Sequence, residues 1–203
     1  MNELATKLNL LTLRSRGDYE AFLYDCDGTL ANNMHLHKAA YAKAASKYGI
    51  SLNLSLIDET AGLPTVKVVE EINKRYRTAV DPLVFGREKS GIYIDELIEK
   101  TQPMDFVVQH LKAHHGKIHI AVVSGGSRKT VQKTLSVLGL TDYIEVLVCA
   151  GDTEKGKPYP DPFLRAATIL GVDPRKCLVF EDGDPGVKAA EAAGMDWIRV
   201  DKI

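Results

Sequence analysis

The chain has 203 residues, 45% of them hydrophobic, with 26 Lys and Arg against 27 Asp and Glu for a formal net charge of -1. That is enough apolar material for one or two domains with a proper core. The balanced charge, with no long basic tract, argues against nucleic acid or an anionic membrane surface as the main partner.

No apolar run approaches the ~20 residues that a membrane helix needs. Cys26, Cys149 and Cys177 are widely spaced, and no Cys-x-x-Cys occurs. They read as small buried hydrophobes of a reducing compartment, not as a disulfide framework or a zinc site. The leucines of the first 13 residues are interrupted by Glu3 and Lys7 and are followed by no small-residue cleavage signal. A short amphipathic helix is expected there instead of a signal peptide. These features describe a soluble, cytoplasmic protein, expected to be a monomer.

In chain order, Leu4, Leu8 and Leu11 form a helical stripe that Arg16-Gly17-Asp18 ends. Strand one is expected over Tyr19–Asp25. Ala39/Ala40, Ala44/Ala45 and Tyr48 give a helix from Met34 that stops at Gly49. Two more helices are expected at Ser55–Ala61 and Thr65–Tyr76, the latter with Val66, Val69, Ile72 and Tyr76 on one face. A further helix is expected over Val84–Lys100, in spite of Gly86 and Gly91. After Pro103 the pattern alternates: helix to Gly116, strand Ile118–Val123, helix Ser127–Leu138, strand Val146–Cys149. A loop rich in Gly and Pro leads to helix Phe163–Leu170, strand Cys177–Phe180, helix Pro185–Ala193 and strand Trp197–Val200.

Short apolar strands alternating with helices predict βαβ units and a parallel α/β sheet. The stretch from Asn33 to about Lys100 is helical throughout and falls between the first two strands, so a four-helix insertion is expected there. Ligands of such sheets bind beyond the carboxyl ends of the strands, where the insertion would act as a lid.

Three strands end in polar groups suited to phosphate chemistry, and the loop after Cys149 supplies a fourth. Asp25 and Asp27 end the first strand. A carboxylate attacking phosphorus needs a cation to offset repulsion, and Mg²⁺ with its oxygen ligands suits it. Asp27 is placed to protonate the leaving oxygen, and its neighbour is expected to raise its pKa. Ser124-Gly125-Gly126-Ser127 offers a hydroxyl and backbone amides to a phosphate, or else simply caps the next helix through Ser127. Lys157, pinned by Pro158, can balance charge between Asp25 and the phosphate, or be a solvated loop lysine. Glu181 and Asp182 are too costly to bury unpaired, which suits metal ligation. Asp184 is expected to cap the helix that begins at Pro185.

The runs Asp25-Cys26-Asp27-Gly28-Thr29-Leu30, Ser124, Lys157-Pro158 and Val179-Phe180-Glu181-Asp182, with Gly186, Ala189-Ala190 and Ala192-Ala193-Gly194-Met195, resemble the four ordered motifs of the haloacid dehalogenase-like hydrolase superfamily. The resemblance spans about Tyr19 to Val200. It implies a Rossmann-like three-layer core over residues 1–32 and 101–203 and a helical cap, similar to that of the β-phosphoglucomutase-like subgroup, over 33–100. It also implies Mg²⁺ held by Asp25, Asp27, Glu181 and Asp182, an aspartyl-phosphate at Asp25, and phosphate held by Thr29, Ser124, Gly125 and Lys157. The implied substrate is a small phosphorylated metabolite.

Dehalogenases of the superfamily lack the second aspartate, so Asp27 counts against that chemistry. The mutases of the subgroup keep a cap arginine where Gly62-Leu63-Pro64-Thr65 has Thr65, which makes a hexose phosphate mutase the lesser reading. His37 matches their histidine beside the acid/base aspartate, or is a surface or cap-core histidine. Lys89 matches their cap lysine. The wording of cap and fourth motif is most similar to fructose-1-phosphate/6-phosphogluconate-type sugar phosphatases. Arg128 is either a substrate contact or an exposed helix arginine. A phosphorylated receiver module shares acidic strand ends with a Ser/Thr and a Lys, but lacks the helical insertion and the late acidic pair.

Overall fold

The computed structural model describes residues 2–61 and 63–203. Met1 and Gly62 lie outside the described residues, and with Gly62 goes the first position of the stretch compared above with the mutase cap. In chain order the elements are α1 (Glu3–Arg14), β1 (Ala21–Tyr24), β2 (Ala31–Asn32), α2 (Met34–Ser46), α3 (Ser55–Glu59), α4 (Thr65–Tyr76) and α5 (Pro82–Ile92). A π-helical turn, Tyr93–Leu97, and a 3₁₀ turn, Ile98–Lys100, follow. Then come β3 (Gln102–Pro103), α6 (Asp105–His114), β4 (His119–Ser127), α7 (Arg128–Val137), β5 (Val146–Ala150), α8 (Asp161–Leu170), β6 (Cys177–Glu181), α9 (Asp184–Ala192) and β7 (Asp196–Arg199).

Five strands form a parallel sheet in the order β5-β4-β1-β6-β7. All four residues of β1 are buried, because the strand is central and covered on both faces. Successive side chains point to opposite faces. Phe22 and Tyr24 enter a cluster with Leu11, Phe106, Leu111 and Phe180, while Ala21 and Leu23 face Val123, Phe163, Val179 and Ala189 on the other side. The result is the expected three-layer Rossmann-like arrangement. The chain winds outward from β1 to β5, then crosses back to β6 and β7. The winding reverses beside β1, which opens a crevice at its carboxyl end.

The helices between β2 and β3 bury a cluster of their own, with Leu36, Tyr41, Ile57, Val69, Phe85 and Tyr93 at its heart. The two segments that join them to the sheet pair as the antiparallel ribbon β2–β3. Two-residue strands carry no legible period, so only the fold reveals this ribbon. In α4 the buried face is Val68, Val69 and Ile72, and Val66 is left half-exposed in a cleft. The expected helix over Val84–Lys100 starts earlier, because Asp81 caps Leu83 N and Val84 N and Pro82 fits the first turn. It then widens at Tyr93 instead of continuing as α-helix. The cap of α9 is Gly183, not Asp184, which lies inside the first turn and pairs with Arg199.

His110 is fully buried beneath β1. Its Nε2 lies 2.8 Å from Ser15 Oγ and its Nδ1 2.9 Å from Tyr24 Oη, so it ties α1 to the sheet. Burial, helped by nearby His114, pushes its pKa down to about 3. The unfolded chain therefore binds this proton below pH ~6.5 while the folded protein does not, and stability falls as pH drops from there toward 3. Denaturant unfolding of wild type and His110→Asn at pH 7 and pH 4.5 measures the effect. The wild type is expected to lose about 2 kcal/mol more than the variant across that interval.

Candidate active site

β1 drives an apolar run into the crevice and ends there, delivering Asp25 buried at the centre of the sheet's carboxyl edge. β4 on one side delivers Ser124, and β6 on the other delivers Glu181. The loop after β5 carries Lys157 inward through a cis peptide to Pro158. All four of these side chains are buried.

The Lys157 ammonium group lies 2.7 Å from Asp25 Oδ1, 2.5 Å from Glu181 Oε1 and 2.8 Å from Val123 O. Its three hydrogens are thus all directed at protein oxygens. Lys157 orients and neutralises Asp25 here and turns no free hydrogen toward a phosphate. Glu181 Oε2 in turn accepts from the backbone N–H of Asp182 (3.0 Å) and Gly183 (3.1 Å). Two glycines leave room for these acids. A Cβ on Gly186 would lie 1.8 Å from Glu181 Oε1, and one on Gly28, whose φ is +93°, would lie 2.1 Å from Asp182 Oδ2.

Asp25, Glu181 and Asp182 can each turn a carboxylate oxygen to a common point, with those oxygens within 4.8 Å of one another. Three carboxylates against one ammonium leave two negative charges when all are ionised. Burial, reinforced by Glu181, pushes Asp182 up to about 7. Burial likewise holds Asp25 well above the usual carboxylate range, although Lys157 opposes it. An all-oxygen set, crowded and short of two positive charges, fits a hard divalent cation.

Asp27 does not join this group. Its Oδ1 accepts from Asn33 Nδ2 (2.7 Å) and lies 3.2 Å from His37 Nε2. Oδ2 faces Gly126, 3.6 Å from where a Cβ would stand. Burial alone would raise this carboxyl, but His37, Asn33 and Lys89 outweigh it and hold its pKa below the ordinary range. The expectation of a raised pKa from the neighbouring carboxylate is therefore reversed: residues two apart in a strand would share a face, but the chain bends at Cys26 and turns from Gly28, so Asp27 turns toward the inserted helices while Asp25 turns toward Lys157.

Lys89 Nζ is 2.7 Å from His37 Nδ1, and burial lowers its pKa to about 8. A protonated Lys89 donates to Nδ1, which leaves the His37 proton on Nε2, facing Asp27. Tyr93 stacks on the His37 ring at 4.0 Å. Asn33 and Tyr93 were not singled out by their sequence context. The only signal for Asn33 is its position six residues after Asp27, at the mouth of the insertion.

A cavity of about 70 Å³ lies between the two groups, lined among others by Asp25, Asp27, His37, Thr65, Lys89 and Ser124. Gly125 also lines it, and Ser124 Oγ accepts from Gly126 N at 3.1 Å, leaving its own hydrogen to donate. Two of the expected site residues point elsewhere. Thr29 is buried and donates to Asp182 Oδ1 at 3.3 Å. Arg128 is exposed, pairs with Asp152 (2.5 Å) and donates to Leu147 O. Ser127 does cap α7, accepting from Thr130 N.

The family model described as haloacid dehalogenase-like hydrolase matches residues 19–194. The chain is 32% identical to the fructose-1-phosphate phosphatase YqaB of Escherichia coli, over 90% of this chain and 96% of that protein. It is 26% identical to the β-phosphoglucomutase of Bacillus subtilis, over 89% and 83% respectively. Among solved structures, a β-phosphoglucomutase from Clostridium difficile superimposes with a TM-score of 0.75 at 27% identity, covering 88% of this chain and 83% of that one.

Gly186→Ala is expected to dislodge Glu181 and release Lys157 from Asp25, lowering kcat/KM for phosphate-ester hydrolysis roughly 10²-fold or more. Arg128→Ala, whose side chain does not line the cavity and is engaged by Asp152, is expected to change it by less than about threefold. Steady-state kinetics of the two variants, beside circular dichroism to verify folding, check both.

Proposed function

Because the chain belongs to the haloacid dehalogenase-like hydrolase family, whose model covers most of its length, we propose that it is a Mg²⁺-dependent phosphatase of a small sugar phosphate, working through an aspartyl-phosphate on Asp25. One observation carries the reading. A single cavity has Asp25, beside Lys157 and the acidic cluster suited to a cation, on one wall and Asp27, held by groups of the inserted helices, on the other. Burial raises Asp25 and the inserted helices lower Asp27, the reverse of what a nucleophile and an acid need, so the roles rest on placement: a divalent cation beside Asp25 would keep it ionised.

Asp25 attacks phosphorus through a carboxylate oxygen and forms a P–O bond, while the ester P–O bond on the far side breaks. The doubly negative phosphate entering beside Asp27 favours its protonation, and Asp27 Oδ2 gives that proton to the departing alkoxide. Ionised again, Asp27 takes a proton from water as the water oxygen attacks the aspartyl-phosphate. Inorganic phosphate leaves and Asp25 is restored. Ser124 and the Gly125–Gly126 backbone are disposed to hold the phosphoryl oxygens. Mg²⁺, held by Asp25 and Asp182 with Glu181 beside them, would neutralise charge on the phosphoryl group.

Residues 33–100 act as the cap in this reading. Within the cavity the cap contributes one cation, Lys89, and that is engaged by His37. Thr65, where a mutase would keep an arginine, is neutral. A second phosphate on the substrate's far end therefore meets no free cation in the cavity among the described residues, which favours hydrolysis of monophosphates over mutase chemistry. The polar Thr60, Thr65 and Ser90 that line the same cavity suit hydroxyls of a sugar or polyol.

A panel of sugar phosphates, scored for phosphate release, tests the proposal. Release is expected with Mg²⁺, lost with a chelator, restored on adding the metal back, and abolished in Asp25→Asn. Glucose 1-phosphate should not isomerise to glucose 6-phosphate. Turnover that survives Asp25→Asn would sink the mechanism, and isomerisation without net phosphate release would replace it with the mutase.

A further inference from the structure

One side chain bridges the two segments that join the inserted helices to the sheet. Tyr93 is fully buried. Its hydroxyl lies 2.7 Å from Asn33 Nδ2 on the outgoing segment and 3.2 Å from Thr101 Oγ1 on the returning one. Asn33 and Thr101 flank the β2–β3 ribbon and are themselves buried. The ring meanwhile stacks on His37, so Tyr93 touches both partners of Asp27 Oδ1.

The directions of these hydrogen bonds follow from chemistry. An ionised Asp27 only accepts, so Asn33 must turn its amine toward Oδ1, as it does at 2.7 Å. The second amine hydrogen points at the Tyr93 oxygen, and the phenolic hydrogen is left for Thr101. The arrangement has a visible cost: Asn33 Oδ1 is buried with no hydrogen-bond partner. Buried polar atoms are rarely left so, and each exception calls for a cause. A reversed amide would give that oxygen the Tyr93 hydroxyl as donor, but would set two acceptors against each other at Asp27. The orphaned carbonyl thus marks an orientation imposed by Asp27, with the Tyr93 oxygen taking the second amine hydrogen.

We propose that Tyr93 is a positioning residue for Asp27: by clasping both connecting segments it holds the Asn33 amide on Oδ1 and leaves Oδ2 free for the leaving group. Alignment of Asp27 is thereby tied to the seating of the inserted helices on the sheet. The inference rests on the acid role given to Asp27 above.

Tyr93→Phe removes the hydroxyl and keeps the ring, its stacking and its burial. The informative comparison is kcat/KM, which covers the steps up to phosphoryl transfer to Asp25, for the best sugar phosphate of the panel and for p-nitrophenyl phosphate. An alkoxide must be protonated as it leaves, whereas p-nitrophenolate departs unaided. Tyr93→Phe is expected to lower kcat/KM for the sugar phosphate by about 10- to 100-fold and for p-nitrophenyl phosphate by less than about threefold. Asp27→Asn should show the same split more strongly, and adding Tyr93→Phe to it should change nothing further. Equal losses on both substrates, or no loss on either, would overturn the clasp while the split in Asp27→Asn still upheld the acid role. Absence of the split in Asp27→Asn would overturn that role, and the clasp with it.

Discussion

A single buried ammonium group makes the carboxyl edge of this sheet tenable. Asp25 and Glu181 emerge from adjacent strands, β1 and β6, and are almost wholly removed from water. Two carboxylates so placed would repel and would each lack solvation. Lys157 reaches between them with all three hydrogens engaged. The loop after β5, the glycine at position 186 and the backbone amides of Asp182 and Gly183 all serve that contact, while the glycine at position 28 makes room for Asp182. Removing any of them leaves a buried charge unmatched. The one remaining imbalance, two negative charges, is the feature that suits the site to a divalent cation.

Asp25 and Asp27 stand two residues apart yet live in opposite environments. Burial dominates for Asp25, and Lys157 only partly offsets it. For Asp27 the inserted helices supply His37, Asn33 and, behind them, Lys89, and their sum exceeds the burial penalty. The sheet thus prepares one aspartate and the insertion prepares the other. In the proposed reaction this division separates the group that takes the phosphoryl from the group that moves the proton. It also makes the second group depend on how the insertion is seated, since every partner of Asp27 named above belongs to residues 33–100.

Much of this was legible in the chain because it is local. Asp-x-Asp-Gly-Thr behind an apolar run, Lys-Pro in a loop and Glu-Asp after a buried strand are short patterns whose order alone points to phosphoryl transfer. Helix periods marked the insertion to within a few residues. What failed had a common cause. The sequence neighbour of Asp27 suggests a raised pKa, yet the partners that set it lie 6, 10 and, for Lys89, 62 positions away. Thr29, implied at the phosphate by the motif that contains it, gives its hydroxyl to Asp182 instead, and of the two readings of Arg128 the structure shows the exposed helix arginine, paired with Asp152. Asn33 and Tyr93 belong to no motif, and the β2–β3 ribbon is too short to show a period.

By itself, then, the sequence determined the strand-and-helix alternation, the interrupting helical segment and the family, because hydrophobic period and strand-end chemistry are written in consecutive residues. Only the tertiary structure decided which carboxylates share a cation site, which way Asp27 faces, and that Lys157 spends its hydrogens on protein oxygens. Those outcomes depend on burial and on charges brought together across long gaps, 132 residues between Asp25 and Lys157 and 157 (182 − 25) between Asp25 and Asp182. Electrostatics in a low-dielectric crevice falls off with distance in space, and the order of residues along a chain carries little of that information.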